Sequence, residues 1–115
     1  EAITYRFALI AQLLDRSGTE FTEIIAGGAA ILRLPTWLQM VADATGKRVV
    51  ASPERGTTAR GIAVLALNAL ELIDSLDVEP ATGERVEYHP DSAAHDTYRL
   101  AMERQQDLYA RLIGT

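Results

Sequence analysis

Apolar positions along the chain recur at two spacings, which predict helices alternating with short strands. Helical spacing predicts four helices, over residues 3–16, 34–45, 58–73 and 91–112. Two short apolar runs predict strands over residues 22–26 and 48–51, and the first is apolar enough to be buried on both faces. This order predicts an α/β fold in which two short parallel strands are covered by four helices.

Two of the predicted helices have distinct apolar patterns. Helix 34–45 has a core-facing stripe of Trp37, Met40, Val41 and Ala44. Trp37 is therefore expected in the core, while Gln39 and Asp43 share a face and are expected at the helix surface. Helix 58–73 is apolar on all sides, which predicts that most of it is buried.

The segment between the last two helices predicts an exposed loop. Residues 77–87 combine Pro80 and Gly83 with acidic side chains. His89 and His95 are six positions apart, a spacing that does not match a metal site, and no cysteine or carboxylate cluster completes one. Both histidines are therefore expected at the surface.

Composition excludes several classes of protein. The chain of 115 residues is 48% hydrophobic and 23% charged, which is ordinary for a globular domain. Its net charge of −5 argues against nucleic acid or an anionic membrane as a partner. It contains no cysteine, which fits a cytoplasmic protein, and no apolar run of membrane-spanning length.

The double glycine Gly27–Gly28 is the clearest candidate for chemistry. It follows the first predicted strand and precedes a predicted helix. Glycines allow close backbone approach, and a helix N-terminus offers free N–H groups to phosphate. The alternative is a tight strand-to-helix turn without a ligand. Gly27-Gly28-Ala29 lacks the spaced third glycine of a dinucleotide fingerprint, and Gly46-Lys47-Arg48 lacks the leading glycine and the Ser/Thr of a P-loop.

A longer set of residues resembles a known family, the FGGY carbohydrate kinases. The set comprises Gly27-Gly28, Pro35-x-Trp37-x-Gln39, Ala42-Asp43, Gly46, Val49, Ala59-Arg60-Gly61-x-Ala63, Leu65-Ala66-Leu67, Tyr88-x-Pro90-Asp91, Tyr98 and Leu108-Tyr109. The likeness covers nearly the whole chain and is greatest to the gluconokinase-like branch. It implies that residues 1–115 are the C-terminal part of the second, ATP-binding domain, within an RNase-H-like (actin-like ATPase) fold.

The resemblance also implies a function and a set of contacts. The full enzyme would transfer the γ-phosphate of ATP to a hydroxyl of a sugar or sugar acid, gluconate being one candidate. Gly27, Gly28 and Ala29 match the glycine turn that contacts nucleotide phosphates. Leu34 and Gly61 match positions on the adenine or ribose side, although close helix packing explains Gly61 equally well. Mg²⁺ would accompany the nucleotide, but no residue is assigned to it. The sugar site and the catalytic base would lie upstream.

Two residues depart from the family pattern, and one alternative function stays open. The family usually has a small polar residue at the position of Leu34 and a glutamate at the position of Gly56, and Glu54 lies two positions from that register.

The chain begins inside a predicted helix, as a fragment would. A fragment would be inactive alone and would self-associate through its bare sheet edge and its first or third helix. The alternative is an acidic, helical interaction module without catalysis.

Overall fold

The computed structural model describes residues 1–54, 56–79 and 82–113. Its helices are α1 (Ala2–Arg16), α2 (Pro35–Thr45), α3 (Thr57–Ala69) and α4 (Ser92–Leu112), and a short 3-10 helix spans Ile31–Arg33. Its strands are β1 (Glu23–Ala26), β2 (Arg48–Ala51) and β3 (Val86–Tyr88). The α/β class and the four predicted helices are confirmed.

The strands form one mixed sheet in the order β1-β2-β3. β1 and β2 are parallel, as predicted, and Ile24 lies opposite Val49. β3 pairs antiparallel with β2, with Tyr88 opposite Val49. The prediction of two strands and of a loop over residues 77–87 is therefore wrong at β3; residues 80 and 81 lie outside the described part. A three-residue strand is too short to show an alternating pattern.

The main core lies between α2 and the sheet. Its buried members are Ala26, Leu38, Val41, Ala42 and Val49. Leu38 and Ala42, which the predicted stripe omitted, are among its most buried residues, whereas Trp37 is only partly buried against this cluster. The buried arc of α2 is wider than the stripe because α2 packs on the sheet and on both α1 and α4.

Helices α1 and α4 cover the other sides of α2. Ala8, Ala44 and Met102 form a second buried cluster there. The rings of Tyr5 and Tyr98 meet edge to face with their centroids 6.1 Å apart. Burial raises the pKa of both tyrosine hydroxyls, and the nearby Glu1 carboxylate raises it further. The three helices therefore form one packed layer beside the sheet.

Polar side chains are part of this helical layer. The Trp37 Nε1 donates to Oγ1 of the fully buried Thr4 at 2.9 Å. Asp43 is only 7% exposed, so its prediction as a surface residue is wrong. Its Oδ1 accepts hydrogen bonds from Gln39 Nε2 at 2.8 Å and from the Asp91 N–H at 2.9 Å. Asp43 therefore links α2 to the residue that caps α4.

His95 takes part in the same junction. Its Nδ1 lies 2.7 Å from the Asp43 carbonyl oxygen, and its ring packs against Gly46, where an added Cβ would come within 2.9 Å of it. Gly46 ends α2 in the left-handed conformation, with φ of 67°. The prediction of His95 as a surface residue is therefore wrong, while His89 is exposed as predicted. Four positions separate Asp91 from His95, which places both on one side of the first turn of α4.

Helix α3 differs from the predicted buried helix. None of its described side chains is buried, and Ile62 and Leu65 are 63% and 58% exposed. It ends at Ala69, four residues before the predicted end, and Glu71 follows with a positive φ of 56°. A helix with apolar side chains on all sides becomes buried only if other elements pack around it. The described residues provide few such neighbours for α3.

Candidate functional site

The double glycine follows directly from β1. The Ala26 carbonyl accepts a hydrogen bond from the Ser52 N–H at 2.8 Å, so β1 and β2 stay joined to their carboxyl ends. Gly28 then has φ of +103°, a conformation that side chains with a Cβ rarely adopt. Its carbonyl accepts from the Leu32 N–H at 3.2 Å, which closes a compact turn. A glycine is therefore required at position 28 by the backbone itself.

Helix α2 begins within one residue of its predicted start. The 3-10 helix Ile31–Arg33 intervenes, and α2 starts only at Pro35. Leu34 occupies the cap position, where no side-chain hydrogen bond is made, and its side chain is 50% exposed. The 3-10 helix therefore separates Gly27–Gly28 from the N-terminus of α2.

Gly27 lies instead beside the N-terminus of α3. A Cβ placed on Gly27 would come within 3.3 Å of Thr57 Cγ2, in the first turn of that helix. Gly56 caps α3 without a side chain, and its N–H donates to Glu54 Oε1 at 3.0 Å. The Glu54 carboxylate thus lies at the start of α3 although it is two positions out of register in the sequence.

Gly61 lies one turn further along α3. It is exposed, and among the described residues an added Cβ would meet no atom within 4 Å. Close packing therefore does not explain this glycine in the described part of the chain. Gly61 borders a shallow groove shared with Glu54, Thr57 and Arg60. The Arg60 guanidinium lies 3.4 Å from Glu54 Oε2.

A separate depression lies on the other side of the glycine turn. It has a volume of about 510 Å³ and includes Ala51 at the carboxyl end of β2 in its lining. Its lining combines residues that follow the glycines, the end of β2 and β3 with the residues before it: Ala29, Leu32, Arg33, Ala51 to Pro53, Glu84, Val86 and Tyr88. Of the predicted site residues, the structure places Gly27 and Gly61 on the α3 side and Ala29 in this depression. Leu34 borders neither.

The groups at this edge are suited to positioning a ligand. In the part of the chain that the structure describes, no three histidine, aspartate or glutamate side chains group as metal ligands. Backbone N–H groups at a glycine turn and a nearby helix N-terminus are suited to holding phosphate.

Sequence reasoning missed Arg33, Ser52 and Glu84. Arg33 had a detectable signal, since it is the single cationic residue between Arg16 and Lys47 and follows the glycines closely. Ser52 and Glu84 had none, because only the pairing of β2 with β1 and β3 brings them to the same depression. No helix formed by the described residues is long and apolar enough to cross a membrane.

Comparison with known proteins extends these observations. Residues 1–70 match the C-terminal domain of the FGGY family of carbohydrate kinases. Over 111 residues the chain is 32% identical to proteins named autoinducer-2 kinase from Yersinia pestis (strain Pestoides F) and Yersinia pseudotuberculosis serotype O:1b (strain IP 31758). These matches cover 91% of this chain and 20% of each relative. The chain thus spans about a fifth of the length of the curated relatives it matches.

Proposed function

The chain belongs to the FGGY family of carbohydrate kinases, and from this premise we propose that residues 1–115 are the C-terminal portion of the ATP-binding domain of a longer sugar kinase. The C-terminal domain of this family has the actin-like ATPase fold, and the α/β arrangement described above agrees with it. The proposed reaction is transfer of the γ-phosphate of ATP to a hydroxyl of a sugar or sugar acid. We place it in the cytoplasm, which fits a chain without cysteine.

The observation that carries the proposal is the position of the glycine turn. Gly27 and Gly28 lie at the carboxyl end of β1, where ligands bind in open α/β sheets. Gly28 has the positive φ that lets backbone approach a ligand closely, and Gly27 lies against the first turn of α3. These features favour a phosphate site made by backbone groups of Gly27, Gly28 and Ala29.

The remaining contacts follow from the same arrangement. In the proposal, Gly61 borders the nucleotide from α3, and Leu34 lies beyond the 3-10 helix on the adenine or ribose side. A leucine there offers no side-chain hydrogen bond. Mg²⁺ would accompany the nucleotide phosphates, and no residue of this chain is assigned to it. When bound, it would neutralise charge on the transferred phosphoryl group.

We propose gluconate or a related sugar acid as one candidate substrate, because the spacing between Gly28 and Trp37 resembles that of the gluconokinase-like branch. The curated relatives are named for autoinducer-2, which is the second candidate. Sugar-dependent ADP release by the full-length protein, measured with each compound, distinguishes the two. Turnover with neither compound would reject both candidates but leave other sugars open to the same assay.

The test of the nucleotide site is Gly28→Val in the full-length protein. Valine cannot easily adopt φ of +103°, so the turn must rearrange and the KM for ATP should rise roughly tenfold or more. The KM for sugar should not change, because the proposed sugar site lies upstream. Gly18→Val is the matched control, since Gly18 has φ of +85° in the turn after α1, away from the glycine turn.

Two results would contradict the proposal. Unchanged ATP kinetics in Gly28→Val would reduce the double glycine to a structural turn. A wild-type protein without sugar-dependent ATP turnover would favour the interaction module. The 115-residue chain itself should show no phosphoryl transfer, since the proposal places the base and the sugar site outside it.

We also propose that residues 1–115 alone self-associate. β1 is an edge strand of the described sheet, and its Ile25 is 63% exposed. Exposed apolar residues of α1, including Phe7 and Ile10, border the same face. A second copy would pair with the strand edge and cover these side chains. Sedimentation should show dimers or larger species that Ile25→Lys weakens; a monomer at high concentration would contradict this.

A further inference from the structure

We propose that residues 86–112, which comprise β3 and α4, form a strap that fixes α2 in position, and that Asp43 is the positioning residue through which the strap sets the geometry of the glycine turn. The inference rests on the proposed function. It gives a role in the affinity for ATP to a part of the chain that lies beyond the 70 residues matched to the family.

The strap is built onto the elements that carry the glycine turn. β3 pairs antiparallel with β2, whose other edge pairs with β1, the strand that ends at the glycines. α4 packs on α2, where Met102 and Ala44 belong to one buried cluster. The Arg48 guanidinium of β2 joins the three strands further, because it contacts Glu23 of β1 and Glu87 of β3. The strap therefore contacts both the sheet that precedes the turn and the helix that follows it.

The end of α2 and the beginning of α4 satisfy each other's backbone groups. The last four carbonyls of a helix have no N–H partner within it, and Asp43 carries one of these in α2. His95 Nδ1 lies 2.7 Å from that carbonyl oxygen, and because the oxygen can only accept, Nδ1 carries the proton. In return, the Asp43 side chain accepts from the N–H of Asp91, whose own carboxylate caps α4. Each helix end thus depends on the other.

Asp43 is the central acceptor of this junction. Its Oδ1 receives the Asp91 N–H at 2.9 Å and the Gln39 amide at 2.8 Å. The same Gln39 Nε2 donates to the His89 carbonyl oxygen of the strap at 2.8 Å. Asp43 is 7% exposed, so water does not readily replace a bond that is lost there. Removing the Asp43 carboxylate therefore removes the acceptor that ties the start of α4 to α2.

A series of backbone hydrogen bonds joins α2 to the glycine turn. The Gly28 carbonyl accepts from the Leu32 N–H at 3.2 Å. Leu34 donates to the Ile31 carbonyl at 3.0 Å and accepts from the Trp37 N–H at 2.9 Å. A shift of α2 must either move the turn or break these bonds. Backbone donors bind a phosphate well only where their placement is held to a fraction of an ångström, so we expect the position of α2 to affect the affinity for ATP.

The experiment measures the steady-state kinetics of the full-length protein at a temperature at which circular dichroism shows each variant to be folded. Asp43→Ala should raise the KM for ATP roughly tenfold and leave the KM for sugar unchanged, because the proposed sugar site lies upstream. Asp43→Asn retains an acceptor oxygen and should restore the KM for ATP to within about threefold of the wild type. Asp96→Ala, which removes an exposed carboxylate of α4, is the matched control and should change neither KM.

A second variant keeps the test decisive if Asp43→Ala does not fold. Gln39→Ala removes the donor to the His89 carbonyl at a half-buried position and leaves the Asp43 carboxylate in place. It should raise the KM for ATP roughly threefold and leave the KM for sugar unchanged.

The outcomes separate this inference from the proposed function. A kinase with normal sugar-dependent turnover, in which every folded variant of Asp43 and Gln39 keeps the wild-type KM for ATP, overturns the inference and leaves the proposed function standing. An equal rise in the KM for ATP and for sugar indicates a general loss of structure and also overturns it. A wild-type protein without sugar-dependent ATP turnover overturns both.

Discussion

Helices α2 and α3 have similar lengths and similar apolar content, yet their environments are opposite. Five residues of α2 are buried, among them Leu38 and Ala42, whereas no described residue of α3 is buried. α2 packs on the sheet, on α1 and on α4, while α3 has no comparable neighbour in the described part of the chain. Apolar composition therefore indicates how much burial a helix needs, but neighbouring elements determine whether it occurs.

The polar contacts of the two helices differ in the same way. α2 is joined to α1 through Trp37 and Thr4, and to α4 through Asp43. α3 is held mainly by Arg60, whose guanidinium contacts Glu54 and donates to the Glu79 carbonyl. Partly exposed ion pairs of this kind contribute little to stability. We expect this difference in contacts to correspond to a difference in the free energy of unfolding.

The largest expected effect distinguishes Leu38 from Leu65. Leu38→Ala removes a side chain that is 1% exposed and leaves a cavity under α2, so the free energy of unfolding of the 115-residue chain should fall by about 3 kcal/mol. Leu65→Ala shortens an exposed side chain of α3 and should cost about 0.5 kcal/mol or less. Urea denaturation measures both. Similar losses for the two variants would show that α3 is buried in solution.

Asp43→Ala should produce the next largest loss, about 2 kcal/mol, because the Asp91 N–H and the Gln39 amide lose their buried acceptor. Asp96→Ala is the control, since Asp96 is an exposed carboxylate on α4 whose nearest cation, Arg99, lies 3.9 Å away. Its cost should be within about 0.5 kcal/mol. The same urea titrations compare the two, and equal costs would show that the α2–α4 junction does not depend on Asp43.

Trp37→Phe should have the smallest effect, about 1 kcal/mol. Phenylalanine retains an aromatic ring beside Phe7 but loses the Nε1 donor to Thr4. A double-mutant cycle with Thr4→Val should recover most of this energy as coupling, because in the Thr4→Val background the Trp37 Nε1 has already lost its acceptor and Trp37→Phe breaks no further bond. Tyr109→Phe, at a half-exposed position on α4, serves as the control. Additive effects of Trp37→Phe and Thr4→Val would rule out a stabilising bond.

Much of the sheet and of the helical layer was predictable from sequence. The segments of β1, β2 and α2 followed from short apolar runs around a helical stripe, and their parallel pairing followed from the β-α-β order. β3 was not predictable, because three residues are too few to show the alternation of apolar and polar side chains that marks a strand. Its formation depends on pairing with the edge of β2 that β1 leaves free. Asp43 was misplaced because a polar residue in a helix is buried only where partners from another element satisfy its hydrogen bonds.

The candidate site divides along the same line. Gly28 was identifiable because its left-handed conformation depends on glycine itself, which is a local property of the chain. The position of Gly27 beside α3 was not identifiable, and neither was the depression that Arg33 and Glu84 both line. Both arrangements bring together residues that are distant in sequence, so they depend on the tertiary structure. The sequence by itself determined the turn, and the tertiary structure decided what surrounds it.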